Sequence, residues 1–202
     1  HVYFLAAPDF LGLPSVFPLI DENPELVKLA FRVKKTGYDL GEAVVGRHTH
    51  PVAAAPGGFT EAPKPWDLER MRERLVALRP DLAASVELFR TLEVPEFAHP
   101  TEYVSLRQPD HYSFYDGEIV SSEGTSVDSQ DYLTAIHESV VVGNYAKFAR
   151  WNRETYLVGA LARVNNNWPQ LRPEAQQAGE ALGLRVPCHN PFLMTAAQLV
   201  EL

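Results

Sequence analysis

The strongest constraint on this chain is a run of apolar residues at helical spacing. Asn23-Pro24 reads as a capping residue followed by proline at the first helical position. Leu26, Leu29, Ala30, Val33, Gly37, Leu40 and Val44 then recur three or four apart, which predicts one face of a long helix ending near Gly46. Lys28, Arg32, Lys34 and Lys35 decorate its other side. A second stripe follows Lys64-Pro65: Leu68, Met71, Leu75 and Leu78, with Asp67 as the expected cap. Pro80 is expected to break or kink that helix, with Leu82, Ser85, Val86, Phe89 and Leu92 carrying the stripe on in a second one. Glu69, Arg70, Arg72, Glu73 and Arg74 mark a solvated face.

The period changes after Thr101. Tyr103-Val104-Ser105-Leu106 is strand-like. Tyr112–Tyr115 and Glu118–Ser121 flank Asp116-Gly117, a dipeptide suited to a type I′ turn, so they predict a hairpin. Ser121–Ser129 reads as polar loop, Asp131–Val142 as a short helix or mixed segment, and Thr155–Val158 as extended. Pro173 opens a helix to about Gly183, and a last helix follows Asn190-Pro191. The class is α+β, dominated by helices with a small β excursion. The expected organisation is one segment of a larger domain, helical over 1–98, mixed β over 99–160 and helical over 161–202.

Composition narrows the function classes. The 46% hydrophobic content of these 202 residues can fill a core, which argues against disorder. One cysteine makes no internal disulfide and no four-thiolate metal site. The 26 acidic against 18 basic residues argue against a nucleic-acid surface, and no apolar run approaches a membrane span. No secretory leader is visible in His1–Ala7. Both ends are apolar or amphipathic, and they read as cuts through structure that leave apolar surface exposed.

Nucleotide-binding glycine motifs and the Gly-x-Ser-x-Gly elbow are missing. His48 and His50, two apart, would point the same way from an extended strand and chelate a metal, although no third ligand is evident. His137-Glu138 is half of a zinc-protease pattern without its second histidine, and Cys188 reads as a structural thiol. Two stretches stand out. Arg47–Gly58 has no helical period and small apolar residues, and is expected to be an extended, buried loop. His137–Arg150, followed by Tyr156–Asn165, sets basic residues among apolar ones, where burial of Lys147 or Arg150 unpaired would be expensive.

These stretches resemble the large subunit of nickel–iron hydrogenases. Gly46-Arg47, His50-Pro51 and Pro56-Gly57-Gly58 match one family stretch. Glu138, Tyr145, Lys147 and Arg150 match a second, and Val158-Gly159-Ala160-Leu161-Ala162-Arg163 a third, all in the same order. Ala160, where other branches carry proline, is similar to the cytoplasmic multisubunit branch coupled to NAD(P) or similar carriers. The resemblance implies reversible cleavage of dihydrogen at a nickel–iron centre held by four thiolates of two Cys-x-x-Cys motifs. Soft donors suit that centre. Neither motif is present here, so the implied role is the middle of the subunit, without catalytic or metal-ligating residues of its own. The implied surroundings are a diaphorase module, an iron–sulfur small subunit, the cytoplasm and a buried magnesium site. By the same resemblance the His50 loop lies toward the small subunit; Lys147 lies near the magnesium. Arg47, Glu138, Arg150 and Arg163 are further second-layer or partner-contact residues. Two other readings stay open: a metal-free relative in a respiratory complex, and a scaffold that uses the Arg47–Gly58 loop as an interface.

Overall fold

A computed structural model describes residues 1–202, which form two compact units, His1–Leu92 and Glu93–Leu202. The first unit is helical. A π-helical turn over Val2–Ala6 leads into α1 (Ala7–Phe10), α2 (Phe17–Glu22) and α3 (Pro24–Val45). The short strands β1 (Ala54–Ala55) and β2 (Gly58–Phe59) then pair before α4 (Pro65–Arg90). Helix α3 forms as its sequence predicts. Asn23 Oδ1 accepts from the Leu26 N–H at 3.1 Å, and Gly46 ends the helix with a left-handed φ of 78°. Leu26, Val27, Leu29, Ala30 and Val33 are its buried face.

Helix α4 departs from expectation in two ways. It is one helix that runs through Pro80 rather than two. The stripe keeps its phase across the proline, with Met71, Leu78, Ser85 and Phe89 all buried. Ion pairs to α3 also lie on both sides of it: Arg74 Nη1 to Asp39 Oδ2 at 2.6 Å, and a two-pronged Arg32–Asp81 pair at 2.7 and 2.8 Å. Tertiary packing thus outweighs the lost N–H of one residue. Second, Lys64 and not Asp67 is the capping residue. Pro65 takes the first position, and Asp67 sits in the first turn, paired with Arg70 at 2.7 Å, where its charge suits the helix dipole. Leu68 and Leu75 are exposed because α3 covers only a narrow seam. The N-terminal segment closes the unit: the Tyr3 hydroxyl meets Ser85 Oγ at 2.9 Å and its ring meets Phe89 edge-on.

The second unit is built on a sheet of β3 (Glu102–Arg107), β4 (Glu118–Ser121), β5 (Ser126–Asp128) and β8 (Tyr156–Leu157). The strand order is β5-β4-β3-β8, with β3 antiparallel to β4 and parallel to β8. Between β5 and β8 lie a 3-10 turn (Ser129–Thr134) and a separate two-stranded ribbon, β6 (His137–Ser139) with β7 (Phe148–Arg150). Helices α5 (Ala160–Asn167), α6 (Pro173–Ala181) and α7 (Met194–Val200) complete the unit. The second helix of that group and the Asn190-Pro191 start of the last lie where the sequence puts them. Asn190 Oδ1 accepts from the Phe192 N–H at 3.0 Å.

The expected hairpin does not form. Strand β4 pairs with β3, from Val104↔Ser121 to Arg107↔Glu118, and not with Tyr112–Tyr115. Those residues are a loop, in which Ser113 Oγ bonds the carbonyl and carboxylate of Asp116. Gly117, with φ 115°, still reverses the chain, and a Cβ there would strike the Arg107 carbonyl. The polar stretch after Ser121 holds a turn and β5, not loop alone. Helix α5 lies on β3: Asn166 Nδ2 donates to Ser105 Oγ at 3.0 Å, and Asn167 Nδ2 to the Leu106 carbonyl at 3.0 Å. Leu161, Val164, Leu184, Cys188, Ala197 and Leu199 form the core around it.

Candidate functional site

The Arg47–Gly58 loop is exposed, not buried; Ala53 alone is sequestered. Part of its backbone is paired locally. The N–H groups of Val52 and Ala53 both reach the Val45 carbonyl at 3.2 Å, and Thr60 N–H reaches the Ala53 carbonyl at 2.8 Å. Within the loop, Arg47 Nε donates to the carbonyls of Thr49 at 2.6 Å and His50 at 3.2 Å. That grip bends the chain so tightly that His50 takes a left-handed φ of 56°, the one positive value outside glycine. His48 leans on the Tyr38 ring, with centroids 5.3 Å apart. The two histidines do not lie on a strand, which removes the geometric basis for same-side chelation.

The ribbon β6–β7 carries three more of the predicted residues. Its register sets Glu138 opposite Ala149 and His137 opposite Arg150. Lys147 Nζ meets Glu138 Oε2 at 2.7 Å, closing the base of the connecting loop. The hydrogen bond to Glu138 raises the Lys147 ammonium above its ordinary value. Arg150 reaches Glu154 at 3.4 Å. All of these side chains are exposed, as are the apolar residues of the loop: Val142 and Tyr145 are 101% and 108% exposed.

Arg163 sits elsewhere in the same unit, in a partly buried cluster. It forks onto Glu201, Nε to Oε1 and Nη2 to Oε2, both at 2.7 Å. The Tyr112 hydroxyl donates to the same Oε1 at 2.6 Å, and the guanidinium lies 5.0 Å over the Phe114 ring. The Glu201 hydrogen bond pushes Arg163 up, while burial and then Glu201 push the Tyr112 phenol up. This cluster joins the start of α5 to the end of α7. Sequence reasoning misses Glu201, Tyr112 and Phe114, because partners 38 and 89 residues apart leave no local signal.

No three His, Cys, Asp or Glu side chains converge as a metal site would require. The single buried Cys188 cannot supply four thiolates, so these residues do not fit the nickel–iron centre as its holders.

The chain has relatives among known proteins. Over its whole length the chain is 30% identical to the alpha subunit of sulfhydrogenase 1 of Pyrococcus furiosus, and it spans 48% of that protein. The chain is homologous to hydrogenase subunits. It is also 29% identical, again along all of its length, to a subunit of the F420-non-reducing vhu hydrogenase of Methanocaldococcus jannaschii, of which it covers 54%. The chain thus spans about half the length of the curated relatives it matches. Its fold is that of a chain in the crystal structure of an NAD+-reducing [NiFe]-hydrogenase in the H2-reduced state. The TM-score is 0.79 with 24% identity, covering 100% of this chain and 53% of the other. No protein-family profile matches the sequence. The helix-dominated α+β class is therefore the class of a hydrogenase chain, and no helix is long and apolar enough to cross a membrane.

Proposed function

We propose that these 202 residues are the middle of the large, catalytic subunit of a nickel–iron hydrogenase, which interconverts dihydrogen with two protons and two electrons. The observation that carries this reading is the 30% identity between the whole chain and the alpha subunit of a hydrogenase. Three matching stretches in family order support it. When bound, the nickel–iron centre supplies the cleavage chemistry, on thiolates from parts of the subunit outside residues 1–202. The contribution of this chain is positional. Arg47 grips the loop that presents His50 toward an iron–sulfur small subunit, on the side where electrons leave. Lys147, held by Glu138, offers an ammonium to the negative surroundings of the magnesium site. Arg150 continues that ribbon, and Arg163 locks α5 in place. The likeness to a chain of an NAD+-reducing hydrogenase supports a partner module that passes electrons to a soluble carrier, a diaphorase, and with it we place the enzyme in the cytoplasm.

The test uses the intact enzyme and separates the two ends of the reaction. Hydrogen–deuterium exchange needs the metal centre; dye-coupled hydrogen oxidation also needs electron exit. His50→Ala is expected to keep nickel content and isotope exchange while slowing dye reduction. Lys147→Ala is expected to lower nickel content and both activities together. Loss of isotope exchange and nickel in the His50 variant, or an unaltered Lys147 variant, contradicts these roles. An intact protein that neither exchanges isotope nor reduces dye with hydrogen contradicts the activity itself.

A further inference from the structure

Glu102 is wholly buried, at 0% exposure, yet no cation pairs with it. A buried carboxylate is expensive unless hydrogen-bonded. Here the donors come from two distant segments. Ser121 Oγ, at the end of β4, donates to Oε1 at 2.7 Å. Asn152 Nδ2 donates to the same oxygen at 2.7 Å, and the Arg153 backbone N–H donates to Oε2 at 2.8 Å. The same Asn152 Nδ2 also donates to Thr125 Oγ1 at 2.8 Å, and the Arg153 guanidinium meets Glu123 at 2.8 Å. The β4–β5 turn and the Asn152-Arg153 corner thus converge on one carboxylate. Burial pushes the Glu102 carboxyl up, but these hydrogen bonds outweigh it and hold the group below the ordinary carboxylate range.

The corner needs such an anchor. It links β7, which carries Arg150, to β8, and β8 pairs with β3 over only two residues, Glu102↔Tyr156 and Tyr103↔Leu157. A two-residue parallel bridge is a weak attachment. The β6–β7 ribbon itself is exposed on every residue but Ala149. We propose that Glu102 is a positioning residue: its carboxylate fastens the Asn152-Arg153 corner to the sheet and so sets where the ribbon bearing Lys147 and Arg150 is held. This role goes beyond the hydrogenase reading and does not rest on it.

Hydrogen exchange of backbone amides in the intact protein tests this directly. In Glu102→Gln an amide N–H replaces one acceptor oxygen and meets a donor. Exchange over residues 148–157 is expected to speed by about tenfold or more at neutral pH, with α5 and the β3–β4 ladder unchanged. The pH profile gives the signature that simple loosening does not. Because the folded carboxyl titrates below its ordinary value, its hold is complete above that value and is lost as pH falls through the folded one. In the wild type, opening of 148–157, corrected for intrinsic exchange, is expected to rise at acid pH; in Glu102→Gln it is high throughout and lacks that step. The groups around it are Tyr156, which stays neutral there, and the Arg153–Glu123 pair. Glu123→Gln is expected to leave the step in place. Should Glu102→Gln fail to fold, Asn152→Ala removes the clamp alone and is expected to open the same segment to a smaller degree. Uniform loosening of the whole unit, an acid step that persists in Glu102→Gln, or unchanged protection of 148–157 in Asn152→Ala overturns the proposal.

Discussion

Arg163 and Glu201 form the best-made ion pair of the molecule: two parallel hydrogen bonds of 2.7 Å, a third from the Tyr112 hydroxyl, and little access to water on the glutamate side. Two-pronged geometry and partial burial set it apart from the exposed i,i+3 pairs such as Lys28–Glu25, which contribute little. Glu201→Gln keeps the shape but leaves one guanidinium edge facing an amide donor. We expect it to lower unfolding stability by about 1–3 kcal/mol in a urea titration. A loss below about 0.5 kcal/mol would mean that water compensates and the pair is surface decoration. The residue scale is the least legible in the sequence. Arg163 stands in a recognisable motif, but Glu201 lies 38 residues away, and Glu102 stands in no motif. Hydrogen-bond partners set by tertiary approach leave no periodic trace, so both anchors emerge only in the folded chain.

Among the elements, α3 is legible to its caps because its signals are local: asparagine, proline, a stripe and a closing glycine. Helix α4 shows the opposite case. A local rule, that proline ends a helix, loses to a seam that keeps its phase through Pro80. That outcome makes a prediction. Pro80→Ala restores an N–H for the carbonyl one turn before it and removes the ring's crowding, while the side chain is exposed. The variant is expected to gain about 1–3 kcal/mol of stability, read as a higher urea midpoint with unchanged slope. A lower midpoint would show that a proline-induced bend is needed for packing on α3. The failed hairpin has a related lesson. Asp116-Gly117 does turn the chain, as its composition demands, yet the strand it delivers pairs with β3. Turn chemistry specifies a reversal; the strand that receives it is β3, buried from Glu102 to Ser105.

For the whole molecule the fold class is readable, and the three motif stretches lie within a chain that aligns over its whole length with about half of a relative. What composition and spacing leave open is how much chemistry these residues hold. One cysteine cannot supply four thiolates, and the central proposal is that this chain is scaffold for a metal centre whose thiolates come from elsewhere in the subunit. Quantifying nickel and iron in two preparations tests it most directly, the intact subunit from its native source and the 202-residue chain alone. The expected result is both metals in stoichiometric amount in the first and neither in the second. Stoichiometric nickel in the 202-residue chain, or none in the active intact protein, would contradict the claim.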